Sequence, residues 1–360
     1  MATKKEFKMM SLGMTVLIIF CAFLILSMPY FLIKKSFIGG MDFTGTGQIG
    51  DTIGGITAPF IGIATSVLTF LAFFVQYKFN IQQNERIDKQ DEEIKIDKFE
   101  NRFYSLLSIL RENIAEISIK DEYKSRRAFV YMFNEFRFCY YELSVINVEN
   151  RYCLSENELT NISFLVFMFG IGNTSDDVII SILEPRFKDL LINYLMRLEQ
   201  KQEIWSESMV NNFANIEEQD KVPGKIILKL NDELDRKITF MSKYKPFAGH
   251  LSRLGHYFRH LYHIVSYVEN STLSEDNKKD YIKTLRAQLS AHEQLLLYYN
   301  SYTSLGSSWR SNDNGKNLLL EYKLLRNIPI PLADFGPKIR VEYDEPNYFE
   351  WEQVEELFNR

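Results

Sequence analysis

Four of the five histidines fall within fourteen positions, His250, His256, His260 and His263, and two arginines, Arg253 and Arg259, stand among them. On a helix, His256, His260 and His263 are four and three residues apart and share one face, with Arg253 one turn earlier. Two chemistries can be built from such a face. Histidines four apart can share a zinc ion. Three ligands from one helix converge poorly on a tetrahedral ion, however, and the acid of a His-Glu-x-x-His site is missing. No metal and no cofactor is therefore expected. The second chemistry is metal-independent RNA cleavage. A histidine exchanges protons with the 2′-hydroxyl or the leaving oxygen, and an arginine stabilises charge on the phosphorane. Its candidate catalytic residues are Arg253, Arg259, His260 and His263. A third use of the same face is packing or ligand sensing. The His and Arg side chains would then hydrogen-bond to a partner helix, at Gln288, His292, Glu293 or Asn300, and His256, Arg286, Gln288 and Glu293 are the candidate ligand-binding residues.

Arg253 and His260 resemble the Arg-x(4–6)-His signature of HEPN-type ribonucleases, which sit on an antiparallel helical bundle. The surroundings favour an anionic ligand. Between Arg236 and Arg286 there are ten Lys/Arg against four Asp/Glu, in a chain whose net charge is -5. An RNA or nucleotide ligand fits that local excess, whereas general nucleic-acid binding does not fit the whole chain.

The elements that carry this face begin with helices. Leu251 to Val268 reads as one, and a second runs from Ser274 through Tyr281, Leu285, Leu289, His292 and Leu296 to Tyr299. Upstream, Phe99, Phe103, Leu106, Leu110, Ile114 and Ile117 recur at helical spacing. Further helices are expected over 123–148, 161–172, 182–204 and 226–241. The one strand signal is Ile339 to Tyr343. Cys21, Cys139 and Cys153 lack metal spacing and read as reduced core or lipid-facing thiols.

The amino-terminal part has a different character. No charge occurs from Met9 to Ile33 or from Thr52 to Tyr77. Each run exceeds the roughly 20 residues that span a bilayer as a helix. Two spans, about 10–33 and 53–77, make a transmembrane hairpin over 1–79. A helical stalk follows over 80–120, then a cytoplasmic antiparallel helical domain over 121–330 and a carboxy-terminal segment over 331–360. The fold class is thus mostly α. Lys4, Lys5 and Lys8 before the first span, and Lys78, Arg86, Lys89, Lys95 and Lys98 after the second, put both termini in the cytoplasm at the inner membrane. Lys34 and Lys35 argue the other way. Gly54, Ala58, Gly62 and Ser66 form a small-residue seam suited to close helix packing, within the hairpin or in a homo-oligomer.

Several segments resemble putative AbiC-type phage abortive infection proteins. One is Gly50-Asp51-Thr52-Ile53-Gly54-Gly55, leading into the apolar span. The others are Tyr257-Phe258-Arg259-His260-Leu261-Tyr262-His263, then Leu285-Arg286-Ala287-Gln288-Leu289-Ser290, Glu293 and Leu296 to Asn300. The resemblance implies anti-phage defence by growth arrest or death of the infected cell, with a sensor partner from the same operon. A non-enzymatic effector that oligomerises and damages the inner membrane is the first expectation. A membrane-tethered endoribonuclease is the second.

Overall fold

The computed structural model describes residues 13–30 in part, 49–120, 122–210, 222–230, 237–344 and 348–350. The chain divides into two units, Met1–Lys98 and Phe99–Arg360.

In the first unit the dominant element is helix α1, Ile49–Glu116, which runs on past the unit's end. It contains a stretch of mean hydropathy 2.1, none of it buried. Phe70, Phe73 and Tyr77 are each about two-thirds exposed. This is one helix long and apolar enough to cross a membrane. Two hydroxyls of the apolar stretch are satisfied within the helix. Ser66 Oγ donates to the Gly62 carbonyl and Thr69 Oγ1 to that of Thr65, both at 2.8 Å. Lipid would offer those groups no partner. The described residues of 13–30 are helical. Much of the first apolar run, and the whole connection 31–48, lie outside the described residues, so the structure gives one long apolar helix and not a hairpin.

The second unit is mostly helical. After the end of α1 come a minimal antiparallel pair, β1 (Ser118–Ile119) and β2 (Tyr123–Lys124), and then helices α2 (Arg126–Asn150), α3 (Glu156–Phe169), α4 (Asn173–Ile182) and α5 (Lys188–Met209). An antiparallel hairpin, β3 (Lys225–Lys229) and β4 (Lys237–Met241), leads to α6 (Leu251–Glu269), α7 (Glu275–Arg286) and α8 (Ala291–Asn300). Two single turns, α9 (Leu318–Glu321) and α10 (Ile339–Glu342), close the order.

Helix α2 is the centre. Phe129, Phe133 and Phe136 are buried along it. The Phe136 ring meets Phe164 and Phe167 of α3, Tyr299 of α8 and Phe335 at 5.1 to 5.7 Å. Such aromatic contacts add to the burial they accompany. The end of α1 also belongs to this core. Phe103 and Leu110 are fully buried, Phe99 stacks on Tyr267 of α6, and Tyr281 of α7 donates to Glu100.

Four expectations need correction. Within the expected helix 226–241, the described residues are two paired antiparallel strands, and Ile226, Leu228 and Leu230 are buried at alternate positions, the period of a strand. The long helix from Ser274 stops at Arg286. Ser290 and Glu293 then form a reciprocal capping box that starts α8, turning the chain between the two. Ile339–Tyr343 is a helical turn with Ile339 and Tyr343 buried four apart. Cys139 is a buried thiol, but Cys153 is exposed just past the end of α2. Described residues of the carboxy-terminal segment join the core: Tyr299 stacks on Phe335 at 4.6 Å and donates to its carbonyl at 2.9 Å.

Candidate functional site

Helix α6 takes its orientation from the loop before it. Gly170 ends α3 at φ 81°, and Gly249 precedes α6 at φ 82°. The two backbones touch. A Cβ on Gly249 would sit 2.5 Å from the Phe169 carbonyl, and one on Gly170 would sit 2.6 Å from the backbone of Ala248. Only glycine permits both the conformation and the approach. The crossing is fixed by hydrogen bonds from Ile171 N to Phe247 O and from His250 N to Met168 O, each 2.9 Å.

From there α6 presents a buried stripe of Leu254, Tyr257, Leu261, Ile264, Val265 and Val268. The arginines and histidines take the remaining surface, but they divide into two groups. Arg253 donates from Nε to the Ser118 carbonyl at 2.8 Å and from Nη1 to the Gly249 carbonyl at 3.3 Å. His260 Nε2 lies 2.9 Å from the Leu106 carbonyl. A carbonyl can only accept, so this nitrogen carries the proton. Both side chains therefore fasten α6 to neighbouring backbone. His256, Arg259 and His263 are exposed and make no hydrogen bond or ion pair among the described residues. They lie three and four apart along one open stripe.

The second expected set is differently placed. Glu293 is fully buried. It accepts from Ser290 N at 2.8 Å and from the Tyr257 hydroxyl at 3.1 Å, and Arg126 approaches at 3.7 Å. Burial pushes its carboxyl up against the opposing pull of the Ser290 and Tyr257 hydrogen bonds. Arg286 is nearly buried and donates to the Lys323 carbonyl at 3.0 Å. Burial, then the nearby Arg326, lower its affinity for the proton. The Gln288 carbonyl accepts from Arg126 at 2.6 Å. His256 faces solvent, away from the buried carboxylate of Glu293. Tyr257, rather than His256, is what α6 brings to Glu293.

A cluster absent from the sequence reading lies beneath the start of α6. Glu135 of α2, fully buried, accepts from Phe247 N at 2.7 Å and from the Tyr244 hydroxyl, and His250 Nε2 lies 3.3 Å away. His250 Nδ1 is buried without a hydrogen-bond partner among the described residues. Burial, then the neighbouring Glu135 carboxylate, push the Tyr244 hydroxyl up. One carboxylate thus holds three residues of the loop that aims α6. The only sequence signal was an acid between Phe133 and Phe136 on an apolar helix face, with its partners more than a hundred residues later.

Residues 249–332 match the family model described as "Putative phage abortive infection protein". The match runs from Gly249 through α6, α7 and α8, and supports the AbiC-type resemblance carried by the Tyr257–His263 and Leu285–Ser290 segments. No curated protein and no solved structure matches the chain.

Proposed function

We propose, with the AbiC-type match as premise, that this chain is a membrane-anchored anti-phage effector. The carrying observation is that the match occurs in a chain that also bears a long apolar helix with no protein cover. Lipid is the solvent such a surface fits. On this reading a first span precedes α1, both termini lie in the cytoplasm at the inner membrane, and the expected stalk of 80–120 shortens to its polar part before Phe99, since Phe103 and Leu110 are buried in the second unit. A sensor from the same operon reports infection to the second unit.

The seam supplies the step that follows. Gly54, Ala58, Gly62 and Ser66 lie on one side of α1 and are open. A Cβ at Gly54 or Gly62 would meet nothing within 4 Å. A second helix can therefore approach closely there, from the same chain or from other copies. Oligomerisation through the seam would then breach the membrane and stop growth before phage are released.

The test is to express the full chain in a susceptible bacterium, challenge it with phage and follow plating, membrane potential and RNA integrity together. Protection with collapse of the potential is expected. Protected cells that keep their potential would rule out membrane damage.

One observation favours a second reading: Arg259 and His263 are unpartnered and four apart on an exposed stripe. They, rather than the backbone-bound Arg253 and His260, would be the working pair of an endoribonuclease. Cut RNA in protected cells, abolished by His263→Ala, would select this reading.

A further inference from the structure

Beside the exposed stripe, and sharing Arg259 with it, a cavity of about 240 Å³ opens between α6 and the turn that follows α8. Its walls include Phe258 and Tyr262, and Trp309 meets Tyr262 edge-on at 5.2 Å. Two of its lining side chains are almost completely buried and polar, Asn300 and Trp309, each 2% exposed. Neither the Asn300 amide nor the Trp309 indole N–H makes a hydrogen bond among the described residues. Their polar atoms are not sealed from solvent, so a ligand that displaces water from this cavity has to supply their hydrogen bonds. Arg259 stands at the rim, exposed, with its guanidinium unpaired.

Gly255 makes the opening. It lies inside α6, where glycine costs about 1 kcal/mol relative to alanine. The backbone does not demand it. Its φ is helical, and the nearest atom to an added Cβ is Leu251 Cδ1 at 3.4 Å, an ordinary contact. What the missing side chain provides is width in the cavity wall.

We infer that this cavity binds a mononucleotide, with the base inside and the phosphate at Arg259. A side-chain amide offers a donor and an acceptor side by side, the pattern that reads the edge of a base. Aromatic walls take the base's faces. The guanidinium takes a phosphate through paired charge-assisted hydrogen bonds. The volume holds one ring system, and the open rim leaves the phosphate in water. The binding site goes beyond the defence reading and does not depend on it.

The experiment is calorimetric titration of the full chain, in detergent micelles, with AMP, GMP, CMP and UMP in turn. Parallel titrations use the matching nucleosides, inorganic phosphate and a short oligoribonucleotide. At least one mononucleotide is expected to bind. Arg259→Ala should weaken it roughly tenfold while leaving the nucleoside unchanged, the scale of a charge-assisted pair screened by water at an exposed rim. Gly255→Leu should abolish both without lowering the melting temperature. Should that variant fold poorly, Ser308→Trp blocks the same cavity from an exposed position. The inference is overturned if no mononucleotide binds at millimolar concentration. It is equally overturned if phosphate alone binds as well, if only the oligonucleotide binds, or if Arg259→Ala changes nothing. None of these readouts involves phage, so failure here and failure of the defence reading are separate results.

Discussion

The Tyr257 hydroxyl and the Glu293 carboxylate meet at 3.1 Å in a fully buried position, joining α6 to the first turn of α8. The same carboxylate closes the capping box at Ser290 and faces Arg126. Tyr257→Phe removes one of these bonds and should cost about 1 kcal/mol. Glu293→Ala strands the Tyr257 hydroxyl and the Ser290 N–H together and should cost roughly 3 kcal/mol. Thermal melts of the full chain would show the two apart. Equal midpoints for Glu293→Ala and the parent would refute the role given to the carboxylate.

The pH dependence of stability should contain two opposed carboxylates. Glu293 is raised by burial in the folded chain. It holds its proton more tightly folded than unfolded. Its contribution is therefore full below the ordinary carboxylate range and is lost as pH rises through the raised value. Glu269 is also buried, which pushes it up, but hydrogen bonds from Lys316 and Tyr322 and the charges of Lys316 and Lys278 bring it below the ordinary range. Its contribution is present above that range and is lost as pH falls through the lowered value. Melting followed from acid to neutral pH should lose its acid limb in Glu269→Gln and its upper decline in Glu293→Gln. An unchanged profile in both variants would contradict this assignment.

Gly170→Ala and Gly249→Ala should each destabilise by more than about 1 kcal/mol, since each adds a backbone clash to an unfavourable φ. The two sites touch one another. Their costs should therefore fall short of additive in the double variant, because a single displacement of the loop relieves both. A strictly additive melt would mean that the two backbones do not meet.

Gly62→Leu tests the seam. The position is open, so the substitution should leave the melting of the second unit unchanged. If copies pack through that side of α1, it should reduce crosslinked oligomers and plating protection together. Protection retained in full would discard the seam as an assembly surface.

The helical character of the second unit is legible in the sequence, because 3.6-residue periodicity is a local property, but the division of the α6 arginines and histidines into a backbone-bound pair and an open stripe is not. The sequence also showed the Ser274 start of α7. The β3–β4 hairpin was missed because Ile226, Ile227 and Leu228 form a short continuous apolar run that suits either period. The break between α7 and α8 is encoded in Ser290-x-x-Glu293, a capping pattern that the apolar periodicity from Tyr281 to Tyr299 does not register. What could not be read was which side chains were already engaged. Arg253 and His260 bind carbonyls 135 and 154 positions away, and no spacing rule reaches that far. The Asn300 and Trp309 cavity is hidden for the same reason, being made by tertiary packing.

Glu135 lies in α2, far upstream of the matched segment, yet it is the partner of that segment's first histidine. A graft of residues 249–332 onto another scaffold would transplant His250 without its carboxylate and would leave behind Tyr244 and Phe247, the other residues that Glu135 holds. Exchange between relatives should therefore be tolerated only when both pieces travel together. The stretch that matches the family model is in this sense a borrowed tenant of the core around it.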